Sequence, residues 1–335
     1  MEYRQLGRTG LRVPPLCLGT MTFGLQTDEP TAFAIMDRAS EAGIDFFDTA
    51  DVYPLGGTLE TVGRTEEIVG RWMRVRGMRD RIVLATKCAG AMGDGPNDSG
   101  LSRAHILKAV DASLRRLQTD VIDLYQVHWF DPRVPIDETL RALDDLVRWG
   151  KVRYIGCSNY PAWRLGEALA TSERLGIARY DCLQPRYNLL YREIETELLP
   201  LAREAGLGVI VYNPIAGGFL SGKYRKGDEP LEGTRFTTPN VARMYQYRYW
   251  QDALFDAVEE LRPACEARGV SMATVAVAWA IAQPGVTSAI VGASRPGQLD
   301  ASLAAPAFAL DDGLRELCES LWWGIPRRPV VEGYR

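Results

Sequence analysis

Eight times along this chain an apolar run of strand length gives way to a segment with helical spacing. That alternation constrains the fold more than any other feature, because strands alternating with helices argue for a parallel sheet covered by helices. The runs span residues 16–21, 44–50, 82–88, 121–129, 152–159, 180–188, 208–216 and 287–294. Helical segments separate them. One opens at Glu29-Pro30 behind Asp28, a residue type suited to the cap, with proline where a first helical turn tolerates it. A second covers 66–76, with Ile68, Val69 and Trp72 on one side. A third is capped by Ser102 and carries Ile106, Val110, Leu114 and Leu117 at helical spacing. Others cover 137–149, 161–175 and 192–205. Eight such units close into a (β/α)8 barrel, and 335 residues suit that barrel with insertions.

The remaining segments decorate the barrel. Residues 3–13 read as an N-terminal β-hairpin turning at Arg8-Thr9-Gly10, with Gly10 supplying a positive φ. The main insertion lies at about 217–272. It holds a polar loop (223–238), an aromatic patch (Tyr245, Tyr247, Tyr249, Trp250) and an extra helix near 254–267. A second extra helix near 313–322, followed by a tail, fills about 311–335. No low-complexity linker divides the chain, so one domain over 1–335 is expected.

Composition removes several function classes. A net charge of −4 offers no electrostatic footprint for nucleic acid or an anionic membrane. No apolar run approaches the ~18 residues that span a bilayer, and the polar start lacks a secretory h-region. A cytoplasmic location is therefore expected. The six cysteines form no CxxC pair and read as reduced and buried. With only two histidines, His105 and His128, a zinc site is short of ligands, and no metal is expected. No feature of the sequence sets an oligomeric state.

The chemistry sits where the runs end. In a (β/α)8 barrel the C-terminal ends of the strands converge on one face and carry the site. The second run, in GIDFFDTADVY, ends in Asp48 and is followed by Tyr53; the third ends in Lys87 and the fourth in His128. Each residue alone has an ordinary reading, as a cap, a turn residue, a solvated lysine or a satisfied core histidine. Together, four titratable groups arrive at consecutive strand ends. A lysine beside a phenol favours the phenolate and lowers its pKa, and a carboxylate holds that lysine charged. A phenol tuned in this way can donate a proton, with a histidine orienting a carbonyl oxygen toward it. Trp129, Phe23 and the 245–250 aromatics are candidates to wall a substrate pocket or to pack the inserted loop.

This constellation resembles the catalytic tetrad of the aldo-keto reductase superfamily. The resemblance runs from the LGT segment at 18–20 through GRTEEIVG at 63–70 and ATKC at 85–88 to GKVRYIGCSN at 150–159. It continues with NPIAGGFLSGKY at 213–224 and VGASRPGQL at 291–299. Within the superfamily it is similar to the long-loop branch that includes potassium-channel β-subunits and sugar-nucleotide reductases. The resemblance implies Tyr53 as general acid, with Asp48, Lys87 and His128 around it. It also implies NADPH (NADP+) bound across the barrel mouth without a Rossmann domain. Consistently, no G-x-G-x-x-G follows a strand. Thr20, Met21 and Asp48 would lie near the nicotinamide ribose. Ser158, Asn159 and Gln184 would hold the carboxamide, and Tyr212 would stack on the ring. Asn213, Pro214, Ile215, Ala216, Gly217 and Lys223 would follow the pyrophosphate, with Arg235 reaching over the cofactor. Gly292, Ser294, Arg295 and Gln298 would hold the 2′-phosphate end, at the start of a helix from Pro296. Ala301 and Ser302 stand where relatives often carry an acid and an asparagine on the adenine.

The resulting expectation is an NADPH-dependent oxidoreductase acting on a small-molecule aldehyde or ketone. A reductase of a sugar-nucleotide or polyketide ketone is one alternative, and a channel β-subunit-like NADPH-binding interaction protein is another. A barrel isomerase using Asp48 as base leaves Tyr53, Lys87 and Arg295 unexplained.

Overall fold

The computed structural model describes residues 1–327. Eight parallel strands close into a barrel: β3 (Leu16–Gly19), β4 (Phe46–Asp48), β5 (Val83–Cys88), β6 (Ile122–Val127), β7 (Val152–Ser158), β8 (Tyr180–Gln184), β9 (Gly208–Val211) and β10 (Ser288–Val291). The (β/α)8 expectation holds. The strands are buried on both faces, which is why they read as near-continuous apolar runs instead of alternating ones. Most are shorter than the runs that announced them. β8 ends before Pro185, and β9 stops ahead of Asn213 (φ 58°) and Pro214, residues that leave the ladder to enter the mouth.

The helices start where their caps dictate. Asp28 accepts the Thr31 N–H at 3.0 Å to open α1 (Glu29–Glu41). Ser102 accepts from His105 at 3.2 Å to open α3 (Arg103–Leu117). α2 (Arg64–Arg76), α4 (Ile136–Arg148) and α5 (Ala162–Leu175) follow their strands as expected. On α4 the inward residues Leu140, Leu143 and Leu146 are fully buried, each contributing about 1.5–3 kcal/mol. The expected helix at 192–205 is a 3-10 turn (Glu193–Glu195) followed by α6 (Leu198–Glu204).

The insertion carries two helices, α7 (Ala242–Tyr249) and α8 (Asp252–Glu266). Only the second has the apolar periodicity that announces it; α7 is aromatic and polar. α9 (Met272–Ala282) is apolar all round because it lies between the barrel and α8. From Pro296 the chain forms a four-residue 3-10 turn before the five-residue α10 (Asp300–Ala304), not one continuous helix. α11 (Asp312–Gly324) closes the described chain, and the tail beyond 327 lies outside the described residues.

The hairpin, β1 (Arg4–Gln5) and β2 (Arg12–Val13), covers the floor of the barrel. Its Leu6 and Val13 pack among the inward residues Cys17, Phe46, Ala85, Leu124, Cys182 and Ile210. The Arg8 N–H donates to Gly206 O at 2.8 Å. Positive φ falls on Gly7 (56°), not Gly10, and space also demands glycine at that position, since a Cβ there would lie 2.4 Å from the Gly208 nitrogen. All six cysteines are buried and free. Among the described residues no helix is long and apolar enough to cross a membrane, and no group of three metal-ligating side chains forms.

Candidate active site

Strand register sets the level of each functional side chain. Asp48 pairs with Gly19 and Ala85, Lys87 with Gln126, Gln126 with Gly156, and Ser158 with Gln184. These positions form a belt at the C-terminal end of the barrel. Above the belt opens a cavity of about 320 Å³ lined by Thr20, Asp48, Tyr53, His128, Gln184 and Tyr212, among others.

Lys87 is wholly buried, and all three of its donor directions are directed. Its Nζ donates to Asp48 Oδ2 at 2.5 Å, to Thr49 O at 2.8 Å and, more weakly, to the Tyr53 hydroxyl at 3.5 Å. The second oxygen of Asp48 accepts from Gln184 Nε2 at 2.8 Å and Gln126 Nε2 at 3.1 Å. A buried ion pair is stable only when its remaining lone pairs and protons are satisfied, and here they are. The fourth residue, His128, meets the Tyr53 ring edge-on, centroids 5.8 Å apart at 80°. All four expected groups therefore converge.

The electrostatics differ from expectation in one respect. Lys87 is near the phenol, yet the Tyr53 pKa is raised well above its ordinary value. Burial of the hydroxyl dominates, the Asp48 carboxylate adds to it, and Arg235 opposes. Tyr53 thus holds its proton at rest. Burial, with Lys87 nearby, pushes His128 well below its ordinary pKa, so the imidazole is neutral. Asp51 does not join this group. It is fully buried, lies toward Glu66 and Arg116, and neither carboxyl oxygen has a partner; burial and Glu66 raise its pKa.

The residues expected to hold a cofactor fall into two sets. Thr20, Met21, Asp48, Ser158, Asn159, Gln184, Tyr212, Asn213, Pro214, Ile215, Arg235 and Gly292 line the cavity. Several are bonded together: Tyr212 donates to Asn159 Oδ1 at 2.8 Å, Asn159 Nδ2 to His128 O at 2.9 Å, and Arg235 to Asn213 Oδ1 at 3.1 Å. Ala216, Gly217, Lys223, Ser294, Arg295 and Gln298 lie outside the lining. Gln298 folds back, its Oε1 accepting from the Ser294 N–H at 2.8 Å. Because a 3-10 turn follows Arg295, the helix N-terminus expected there is not formed, and the Ser294 N–H is taken up by Gln298.

The site fits a phosphate-bearing nicotinamide cofactor on two counts. Asn213 Nδ2 is buried in the cavity wall with no hydrogen-bond partner. Partial burial of the Lys223 ammonium, and then the nearby Arg235 and Arg295, depress its pKa, which places three cations together. Among the described residues no carboxylate forms a salt bridge with any of the three. Such a cluster calls for an anion.

Sequence reasoning missed Gln126 and Arg248; Arg248 lines the cavity, as does Ser302, which was singled out only as a departure from relatives at the adenine. Gln126 had a signal: it is a lone amide within the buried run IDLYQV, two residues before His128. The aromatic patch divides. Tyr245 and Trp129 line the cavity, whereas Trp250 packs on Phe219, Tyr224, Phe236 and Phe255. Phe23 is a buried core residue and does not line this cavity.

The family model described as "Aldo/keto reductase family" matches residues 15–322. Among curated proteins, the chain is 43% identical to "Uncharacterized oxidoreductase YrpG" of Bacillus subtilis, covering 100% of this chain and 99% of that one. It is 38% identical to "Probable voltage-gated potassium channel subunit beta" of Arabidopsis thaliana, covering 100% of both. It is 34% identical to "Versiconal hemiacetal acetate reductase" of Aspergillus parasiticus, over 91% of this chain and 92% of that one.

Proposed function

Since this chain belongs to the aldo/keto reductase family, we propose that it reduces an aldehyde or ketone to an alcohol, with NADPH as the cofactor and Tyr53 as the proton donor. The observation carrying this reading is the phenol of Tyr53 at the head of the buried Lys87–Asp48 pair, facing the cavity beside a neutral His128. When bound, NADPH would supply the hydride for the carbonyl carbon. The remaining steps belong to the chain. His128 donates a hydrogen bond to the carbonyl oxygen and sets its orientation. Tyr53 gives that oxygen its proton, and Lys87 stabilises the phenolate left behind. Asp48 keeps Lys87 in place. A high resting pKa suits this role, because a donor must hold its proton until the oxygen becomes basic.

Ser158, Asn159 and Gln184 would hold the carboxamide, and Tyr212 would flank the ring. Lys223 and Arg235 would neutralise the pyrophosphate, while Arg295, Ser294 and Gln298, with Gly292 beneath, would meet the 2′-phosphate. The reading covers one catalytic unit over 1–335, working in the cytoplasm on a small-molecule carbonyl. Apolar walls of the cavity (Val52, Leu55, Trp129, Met244) suit a hydrophobic substrate body. A substrate of the kind in the name of the Aspergillus relative, a hemiacetal acetate, is included.

A panel of aldehydes, ketones and sugars, followed by NADPH consumption, tests the reaction. The wild-type chain should turn over at least one class. Tyr53→Phe should lose about 10²–10⁴-fold in kcat and keep NADPH binding. Near-normal turnover in that variant would sink the assignment. A second reading, an NADPH-binding interaction protein, takes its support from the channel-subunit name of the Arabidopsis relative. Tight NADPH binding with no turnover across the panel would favour it.

A further inference from the structure

The aldo/keto reductase reading assigns no role to Gln126. We propose that Gln126 is a positioning residue that fixes the Asp48 carboxylate, and through it Lys87, whenever a ligand occupies the cavity; the inference rests on the reading above.

Three observations support this. First, Gln126 is fully buried and its amide is satisfied at both ends, donating to Asp48 Oδ1 at 3.1 Å and accepting from Gln184 Nε2 at 3.1 Å. Its orientation is therefore set by the network: the N–H end faces the carboxylate. Second, the fold makes room for it. A Cβ at its strand neighbour Gly156 would lie 2.8 Å from the Cys182 carbonyl oxygen and 3.2 Å from Gln126 Cγ, so the bare glycine required by the neighbouring strand also leaves the Gln126 side chain its space. Third, the two amides on Asp48 Oδ1 differ in access. Gln184 lines the cavity and can be drawn away by a ligand, whereas Gln126 lies beneath the lining. Once Gln184 turns to a ligand, Gln126 is the donor that remains on that oxygen. Without it, a buried carboxylate loses a charge-assisted bond and rotates, and Lys87 loses its fixed place below the phenol.

Two variants test the proposal. Gln126→Met keeps the side-chain length and removes both polar atoms. It should lower kcat about 10–100-fold while the KM for NADPH changes by less than about threefold. Acidification should not restore it. Gln126→Glu keeps the shape, but its carboxyl can donate to Asp48 only when protonated. It should be slow at neutral pH and recover as the pH falls. Wild-type kcat in Gln126→Met overturns the proposal, and so does a Gln126→Glu profile parallel to that of Gln126→Met. A crystal structure of either variant with NADPH gives a readout that needs no turnover. Asp48 should be rotated and Lys87 displaced; both side chains unmoved overturns the proposal even if no substrate is found. A wild-type chain that binds NADPH and reduces nothing counts against the reaction, and the crystallographic arm then decides the role of Gln126.

Discussion

At and beneath the floor of the cavity Asp48, Lys87, Gln126 and Gln184 are buried and bonded to one another; outside its lining, Lys223 and Arg295 are exposed and meet no carboxylate among the described residues. The first set stands on strand ends, where the barrel register fixes each backbone. The second stands on loops and a short 3-10 turn. The buried end carries its own counter-charges because an unpaired ion there is costly. The exposed end leaves its charge open, as the phosphate site proposed above requires. A buried, internally balanced cluster and an open cationic one thus stand near one mouth, the first proposed above as the reaction centre and the second as the phosphate site.

The contrast breaks most severely at Lys87. Lys87→Met leaves Asp48 as an uncompensated buried charge and should cost about 3–5 kcal/mol of stability as well as turnover. Denaturant unfolding measures the first. The double variant Lys87→Met/Asp48→Asn should regain most of the stability and none of the activity; no recovery would mean that the pair is not the coupled unit described. The open end should respond in binding alone. Arg235→Leu, which removes a partly buried cation from the cavity wall, should raise the KM for NADPH about 10–100-fold with little change in melting temperature. Arg295→Leu should have a smaller effect, about tenfold, and chiefly on NADPH rather than NADH, because the residue is exposed and screened by solvent. Equal effects on the two cofactors would show that Arg295 does not read the 2′-phosphate.

A last test uses pH. The folded pKa of His128 is depressed by burial and Lys87, while in the unfolded chain it titrates near about 6.5. Its contribution to stability is therefore complete above that pH and is lost as the pH falls below it, where the unfolded chain takes up a proton that the native site refuses. Melting temperature against pH should show this slope, and His128→Phe should flatten it.

The two ends were not equally legible in the sequence. Asp48, Lys87 and His128 each interrupt an apolar run at its C-terminal end, and a barrel places such residues together whatever its loops do. The eight runs declared the barrel for the same reason. Gln126 escaped because its meaning depends on register: only its pairing with Lys87 and the bare Gly156 beside it reveals where the side chain points. The open end was legible as residue types and not as geometry. Arg295 and Ser294 read as helix-start donors, but the turn after them is 3-10 and Gln298 has folded onto Ser294. Likewise, α7 carries no apolar period, so its division into cavity-lining Tyr245 and packing Tyr249 could not be read from spacing.

The hairpin beneath the barrel has a consequence for this chemistry. With Leu6 and Val13 set among the lowest inward side chains, the column of Asp48, Gln126 and Gln184 can exchange solvent only upward. A ligand seated over Tyr53 thus works like a cork in a stoppered tube. Such docking would close the one remaining approach of water to an already buried column, and under the reading proposed above the lowered dielectric would strengthen the attraction between Lys87 and Asp48 during proton transfer.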